Sequence, residues 1–203
     1  SELMTNLSMS LVNALYNLQL MKIAGENGVA AYGAVMYVNF IFVATFLGYA
    51  IGCAPVISYH YGAGNHAELK NLYKKSMSII LVWGVILFGA AQLLAPVLSK
   101  IFVGYNTGLY AMTLHGFRVY AIAFLIIGIN IFGSSFFTAL NNGLISAVIS
   151  FLRTLMFQVI MVLTLPLWFG INGIWSAISI AEALTLIMTT TFFVRQKDKY
   201  HYL

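Results

Sequence analysis

The chain has 203 residues, of which 61% are hydrophobic and 7% are charged. Soluble domains carry about 25% charged residues, so this composition excludes an ordinary soluble domain and predicts an integral membrane protein. The net charge of +5 would suggest nucleic acid as a partner of a soluble protein. Here the basic residues cluster at the ends of apolar segments, as topology determinants do, and we expect the lipid bilayer and no nucleic acid as the partner.

Six apolar segments are each long enough to cross a bilayer, whose core of about 30 Å needs about 20 helical residues. Turn-like stretches rich in glycine and asparagine separate them. The alternating pattern of a transmembrane barrel is absent. The sequence therefore predicts an all-α, polytopic membrane protein with a single lobe, a six-transmembrane-helix bundle over residues 1–203. The predicted spans are 3–23, 30–59, 76–98, 109–140, 144–167 and 174–194.

The first predicted span carries a continuous polar stripe at spacings of 4, 4, 3 and 4 residues. Polar side chains are hard to satisfy in lipid, so the stripe should face other helices or water. Interhelical hydrogen bonds are one explanation. Lining of a central cavity is favoured, because such bonds rarely need five positions along one helix. The fourth span repeats the pattern more weakly around Asn130. The stripe consists of Glu2, Asn6, Ser10, Asn13 and Asn17.

The second span ends in "SYHYGAGN", followed by the basic segment "HAELKNLYKK". Residues 62–67 match the dinucleotide-binding pattern G-x-G-x-x-A, but that pattern requires a preceding strand, so nucleotide binding is not expected. Instead the glycines predict a turn, after which the basic segment is expected to lie as a short basic helix at the anionic inner leaflet. With the lysines at 70, 74 and 75 and the basic tail 195–199, the positive-inside rule predicts that both termini are cytoplasmic. We expect a multi-pass protein of the cell (plasma) membrane.

Glu182 lies well inside the sixth predicted span, on a face shared with serines and threonines. A carboxylate at such depth costs about 2.5–3.5 kcal/mol on insertion scales, so it needs a proton, a cation or a polar cavity. Arg153 on the fifth span comes to a similar height. One interpretation is a structural ion pair between the two. The other is a carboxylate that contacts substrate or the coupling ion.

Several segments resemble the MATE (multidrug and toxic compound extrusion) transporters. The stretch "IGCAPVISYHYGAGNHAELKNLYKK" is similar to the long second span of a lobe with its glycine turn and basic helix. The start "SELMTNLSMSLVNALYNLQL", with "GENGVAAYG", resembles the seventh span and the loop after it. Near the end, "PLWFGINGIWSAISIAE" resembles the last hairpin. The resemblance implies half of a twelve-helix fold, namely the C-terminal lobe, spans seven to twelve, with the N-terminal lobe of the same transporter as its partner.

The resemblance implies an efflux antiporter for amphipathic organic cations, coupled to H⁺ or Na⁺ and without a cofactor. A lipid-linked oligosaccharide flippase of the same superfamily is an alternative. It would need a cationic cavity for pyrophosphate, for which Arg118 and Arg153 are the candidates. A structural membrane subunit is a further alternative. An enzyme is not expected, because the sequence shows neither a nucleophile–base pair nor metal ligands at helical spacing.

Overall fold

The computed structural model describes the backbone of residues 2–203 and the side chains of residues 8–203. Every regular element in this part of the chain is helical. Within these described residues, five continuous helical stretches are long and apolar enough to cross a membrane, which makes this a multi-pass membrane protein. The helices are α1 Glu2–Gly62, α2 His66–Val103, α3 Thr107–Tyr120, α4 Phe124–Ala139, α5 Gly143–Phe151, α6 Phe157–Phe169 and α7 Ile171–Tyr200.

Helix α1 folds back on itself at Gly25, whose φ of 62° and ψ of −153° are not helical. In a straight helix Tyr16 and Tyr32 would lie about 24 Å apart, but their rings stack with centroids 5.0 Å apart. The Tyr32 hydroxyl also donates to Asn13 Oδ1 at 3.0 Å. The element thus has two antiparallel arms, which correspond to the first two predicted spans.

Helix α2 begins directly at His66, after a turn in which Gly64 takes a φ of 68°. Asn65 caps the helix, since its side chain accepts from the Glu68 backbone N–H. The prediction of a separate short basic helix is wrong, because the basic segment forms the first turns of this 38-residue helix. The helix continues without a break from His66 to Val103, although Pro96 within it lacks a backbone N–H and cannot donate to the i−4 carbonyl.

Two of the predicted spans contain a local change of helix type. A 3₁₀ turn, Ala121–Ala123, separates α3 from α4, and a π-helical turn, Leu152–Met156, separates α5 from α6. Helix α4 is the centre of the bundle and packs against α1, α2, α5 and α7. Glycines permit this close packing: a Cβ on Gly133 would lie 2.5 Å from a Thr189 methyl carbon on α7.

Candidate substrate cavity and its buried ion pair

Glu182 lies on α7 with 1% of its surface exposed. Helix α7 starts at Ile171, which puts Glu182 about 17 Å along the helix. Both carboxylate oxygens have partners. Arg153 Nε donates to Oε1 at 2.9 Å, and Asn130 Nδ2 donates to Oε2 at 2.7 Å. A buried carboxylate is thereby compensated by one charged and one neutral donor, as burial of a charge requires.

Arg153 reaches Glu182 from the π-helical turn between α5 and α6. Such turns add a residue to the helical repeat and are frequent at functional sites. The side chain is 17% exposed and uses Nε for the ion pair, while the terminal guanidinium nitrogens have no hydrogen-bond partner among the described residues. The guanidinium edge is therefore available on the side away from Glu182.

Asn130 fixes the geometry of the acid from the opposite side. Its Nδ2 donates both to Glu182 Oε2 and to the Glu182 backbone carbonyl at 2.9 Å. Its Oδ1 accepts from the Thr189 hydroxyl at 2.9 Å. Asn130 and Thr189 have no exposed surface, so this side of the network is sealed. Helices α4 and α7 are joined through Glu182.

The ion pair forms part of the wall of a cavity of about 240 Å³ between the arms of α1 and helices α4, α6 and α7. The cavity opens on the face where Met9, Phe40 and Leu47 are exposed. Tyrosine rings and aliphatic side chains cover most of its wall. The polar or charged lining residues are Asn13, Tyr16, Tyr32, Asn39, Tyr120, Arg153, Thr154, Gln158 and Glu182.

Two buried polar atoms at the cavity have no hydrogen-bond partner among the described residues. They are the Tyr16 hydroxyl and Asn39 Oδ1. An unpaired buried polar group costs free energy comparable to a lost hydrogen bond. Both atoms belong to residues lining the cavity, where water or a ligand can satisfy them. With the other polar lining residues, these atoms provide polar positions within a mostly apolar wall.

The polar stripe predicted for the first span is only partly at this cavity. Asn13 lines it and accepts the Tyr32 hydroxyl bond. Ser10 and Asn17 are exposed on the lobe surface and lie outside the cavity wall. The side chains of Glu2 and Asn6, the other two residues of the predicted stripe, lie outside the described residues. Of the described stripe residues, Ser10 and Asn17 thus lie on the exposed side of the helix, while Asn13 lies next to the buried side formed by Val12, Tyr16 and Leu20.

Sequence reasoning missed the tyrosines and Asn39. Tyr16, Tyr32 and Tyr120 come from three separate segments, and aromatic residues are so common here that no single ring stood out. Asn39 had a usable signal. It is a lone asparagine in the second apolar segment, where a polar amide needs a protein or water partner.

The family model named MatE matches residues 3–164. The chain belongs to the MatE family. No curated protein sequence matches it. The MatE model covers the cavity wall contributed by α1, α4 and α6 and ends before α7.

Solved transporters share this fold over nearly the whole chain. An inward-facing multidrug resistance MATE family transporter of the MOP superfamily superposes with a TM-score of 0.90, at 20% identity, over 97% of this chain and 46% of its own. An outward-facing one gives 0.89 at 20% identity, over 98% and 45%. A Pyrococcus furiosus MOP superfamily transporter gives 0.87 at 20% identity, over 96% and 44%. This MatE chain thus spans just under half the length of the transporters it resembles.

Proposed function

We propose that the chain is the C-terminal lobe of a cation-coupled antiporter that exports amphipathic organic cations in exchange for H⁺ or Na⁺. The N-terminal lobe of the same transporter would be its partner. The observation that supports this proposal is the buried Glu182–Arg153 pair in the wall of an open, largely apolar cavity. Ionisable groups within the membrane are costly and mark ion or substrate pathways.

In this proposal the cavity supplies two kinds of attraction for an organic cation. The tyrosine faces and the methionines Met9 and Met36 hold its apolar body, and aromatic faces also attract cations. Glu182 supplies the negative charge, which Arg153 neutralises in the present arrangement. A proton, Na⁺ and the substrate would each compete with Arg153, and with one another, for the Glu182 carboxylate. Binding of the coupling ion would therefore release the substrate, and binding of the substrate would release the ion. Rocking of the two lobes would provide alternating access.

The test is Glu182→Gln in the complete transporter, with Glu26→Gln as the matched control. Glu26 is exposed, so its substitution removes the same charge away from the cavity. Ethidium efflux from proteoliposomes is measured under an imposed pH or Na⁺ gradient. We expect Glu182→Gln to abolish the dependence on the gradient, and Glu26→Gln to leave it intact.

The outcome against this proposal is equally specific. If Glu182→Gln keeps gradient-driven efflux while the thermal midpoint of unfolding falls, the ion pair has a structural role only. If the wild-type transporter moves neither ethidium nor another organic cation under any gradient, the proposal that it exports organic cations is refuted.

A lipid-linked oligosaccharide flippase is the second candidate, supported by the guanidinium edge of Arg153 at the cavity. Arginine is well suited to bidentate phosphate binding. Arg118, however, is exposed and lies outside the cavity wall, which leaves one arginine among the described lining residues. A pyrophosphate clamp from this lobe is therefore the weaker candidate. Flipping of a fluorescent lipid pyrophosphate that is lost in Arg153→Gln would favour it.

We also propose that the 63–65 turn and the C-terminus lie on the cytoplasmic side, on the basis of the lysine distribution. A cysteine at position 65 in a Cys53→Ser background should react with an impermeant maleimide only in inside-out vesicles. A cysteine at position 106, in the opposite turn, should react only in intact cells. The reverse pattern would overturn the orientation.

A further inference from the structure

A second recess lies between the second arm of α1 and helix α2, and it shares no residue with the Glu182 cavity. It has a volume of about 180 Å³. The wall is apolar and aromatic, with few polar atoms at its edge. Its lining residues are Thr45, Phe46, Tyr49, Ile79, Ile80 and Trp83.

The recess is deep because its floor packs directly against the central helix α4. Phe46 and Ile80 are each 3% exposed, and both approach Gly128 on α4 so closely that a Cβ there would collide with them. Two polar bridges hold the walls at a fixed distance above this floor. Trp83 Nε1 donates to Thr45 Oγ1 at 2.8 Å, and the Tyr49 hydroxyl donates to Ser76 Oγ at 3.0 Å. The bridges set the spacing of the two helices without filling the space between them.

The position of the recess along α2 follows from the charges that bound its apolar part. Lys75 and Lys100 lie 25 positions apart, which is about 38 Å of helix. The hydrocarbon core is about 30 Å thick, and lysines at each end extend toward the headgroups. Lys75 therefore lies at the boundary between headgroups and acyl chains. Ile79 and Trp83 follow at intervals of four residues on the same helix face, just inside the hydrocarbon.

The charge at this boundary is positive. Lys70, Lys74 and Lys75 are exposed. Glu68 is the acid in the same segment, and its carboxylate accepts from the Asn71 side chain. Three lysines against one acid leave a surplus of positive charge at the end of α2 nearest the recess, and Lys75 lies on the same helix face as Ile79. Basic residues at this height attract anionic lipid.

We propose that this recess is a binding site for an anionic phospholipid. The phosphate pairs with Lys75, with Lys74 beside it, and one acyl chain lies in the recess against Ile79 and Trp83. The headgroup charge and the apolar recess are joined on one helix face, and a phospholipid has the same arrangement of charge and chain. The site is independent of the export activity proposed above.

The tryptophan in the recess gives a direct readout. The complete transporter is reconstituted with phosphatidylglycerol or phosphatidylcholine carrying the same brominated acyl chains, which quench tryptophan fluorescence on contact. The signal of Trp83 is the difference between wild type and Trp83→Phe. We expect this signal to be quenched at lower mole fractions of brominated phosphatidylglycerol than of phosphatidylcholine.

The charge variants identify the site. Lys75→Gln should lower the preference for phosphatidylglycerol at Trp83 by about five-fold, which corresponds to one lysine at an anionic surface. Lys100→Gln removes the same charge from the other end of α2 and should leave the preference unchanged. Both lysines are exposed, so equal thermal midpoints should confirm that folding is unaffected. Equal quenching by the two lipids in wild type, or an equal loss in Lys100→Gln, would overturn the proposal.

Discussion

At the residue scale, the Glu182 carboxylate accepts hydrogen bonds from two donors, the charged Arg153 and the neutral Asn130. Substituting the charged partner therefore isolates the contribution of the ion pair to stability. Breaking a buried ion pair by removing one partner costs about 3–5 kcal/mol, because an uncompensated charge is left behind. We expect Arg153→Gln and Glu182→Gln each to lower the free energy of unfolding substantially. The double variant should lose much less than the sum, since neither charge remains. Unfolding in mixed micelles with a graded denaturant measures all three, and additive losses would contradict this coupling.

The sequence could predict that Glu182 and Arg153 share a height, because each depth follows from the helix rise and the span ends. It could not predict the donor to the second carboxylate oxygen. Asn130 was favoured only weakly, since its role depends on how α4 is rotated about its axis against α7. Helix α4 is buried against several neighbours, so its apolar periodicity does not record that rotation.

At the element scale, the bend of α1 rests on one residue. Gly25 combines a φ of 62° with a ψ of −153°, a region open almost only to glycine. We expect Gly25→Ala to lower the free energy of unfolding by about 1–3 kcal/mol, the usual cost of such strain. Gly33→Ala is the matched control. Gly33 lies in the helical second arm, and a Cβ there meets nothing within 4 Å.

The two substitutions should therefore move stability in opposite directions, since alanine in a helix interior is favoured over glycine. Thermal unfolding followed by circular dichroism measures both. Equal midpoints for Gly25→Ala and Gly33→Ala would show that another conformation serves the bend equally well.

Most element types were predictable because long apolar runs between glycine or asparagine turns have few alternatives in a bilayer. The residues at which the elements begin and end were harder to predict. Residues 66–75 continue α2 because nothing in "HAELKNLYKK" stops a helix, and their charge alone suggested a separate one. The 3₁₀ turn at 121–123 lies within an unbroken apolar run, where packing of α3 and α4 against different neighbours sets the geometry rather than local sequence.

At the scale of the whole molecule, the open side of the Glu182 cavity and the polar stripe lie on the same part of the surface. Asn13 belongs to both, and Ser10 and Asn17 are exposed beside it. Exposed polar side chains at membrane depth need a protein or aqueous neighbour. We infer that this face meets the other lobe of the transporter. Elsewhere the surface presents exposed apolar side chains suited to lipid, such as Leu93 at 80% and Ile101 at 72%.

The final prediction follows from leaving this face uncovered. Residues 1–203 reconstituted alone should self-associate through the stripe, because pairing two such faces satisfies the asparagines that lipid cannot. In a Cys53→Ser background, cysteines at positions 13 and 17 should crosslink between copies, whereas Leu93→Cys, on the apolar surface, should not. Crosslinking at 93 and not at 13 or 17 would place the interface elsewhere. Ion-dependent drug transport by monomeric residues 1–203 would contradict the proposal that the chain is one lobe of a transporter, because under that proposal a second lobe closes the open side of the cavity.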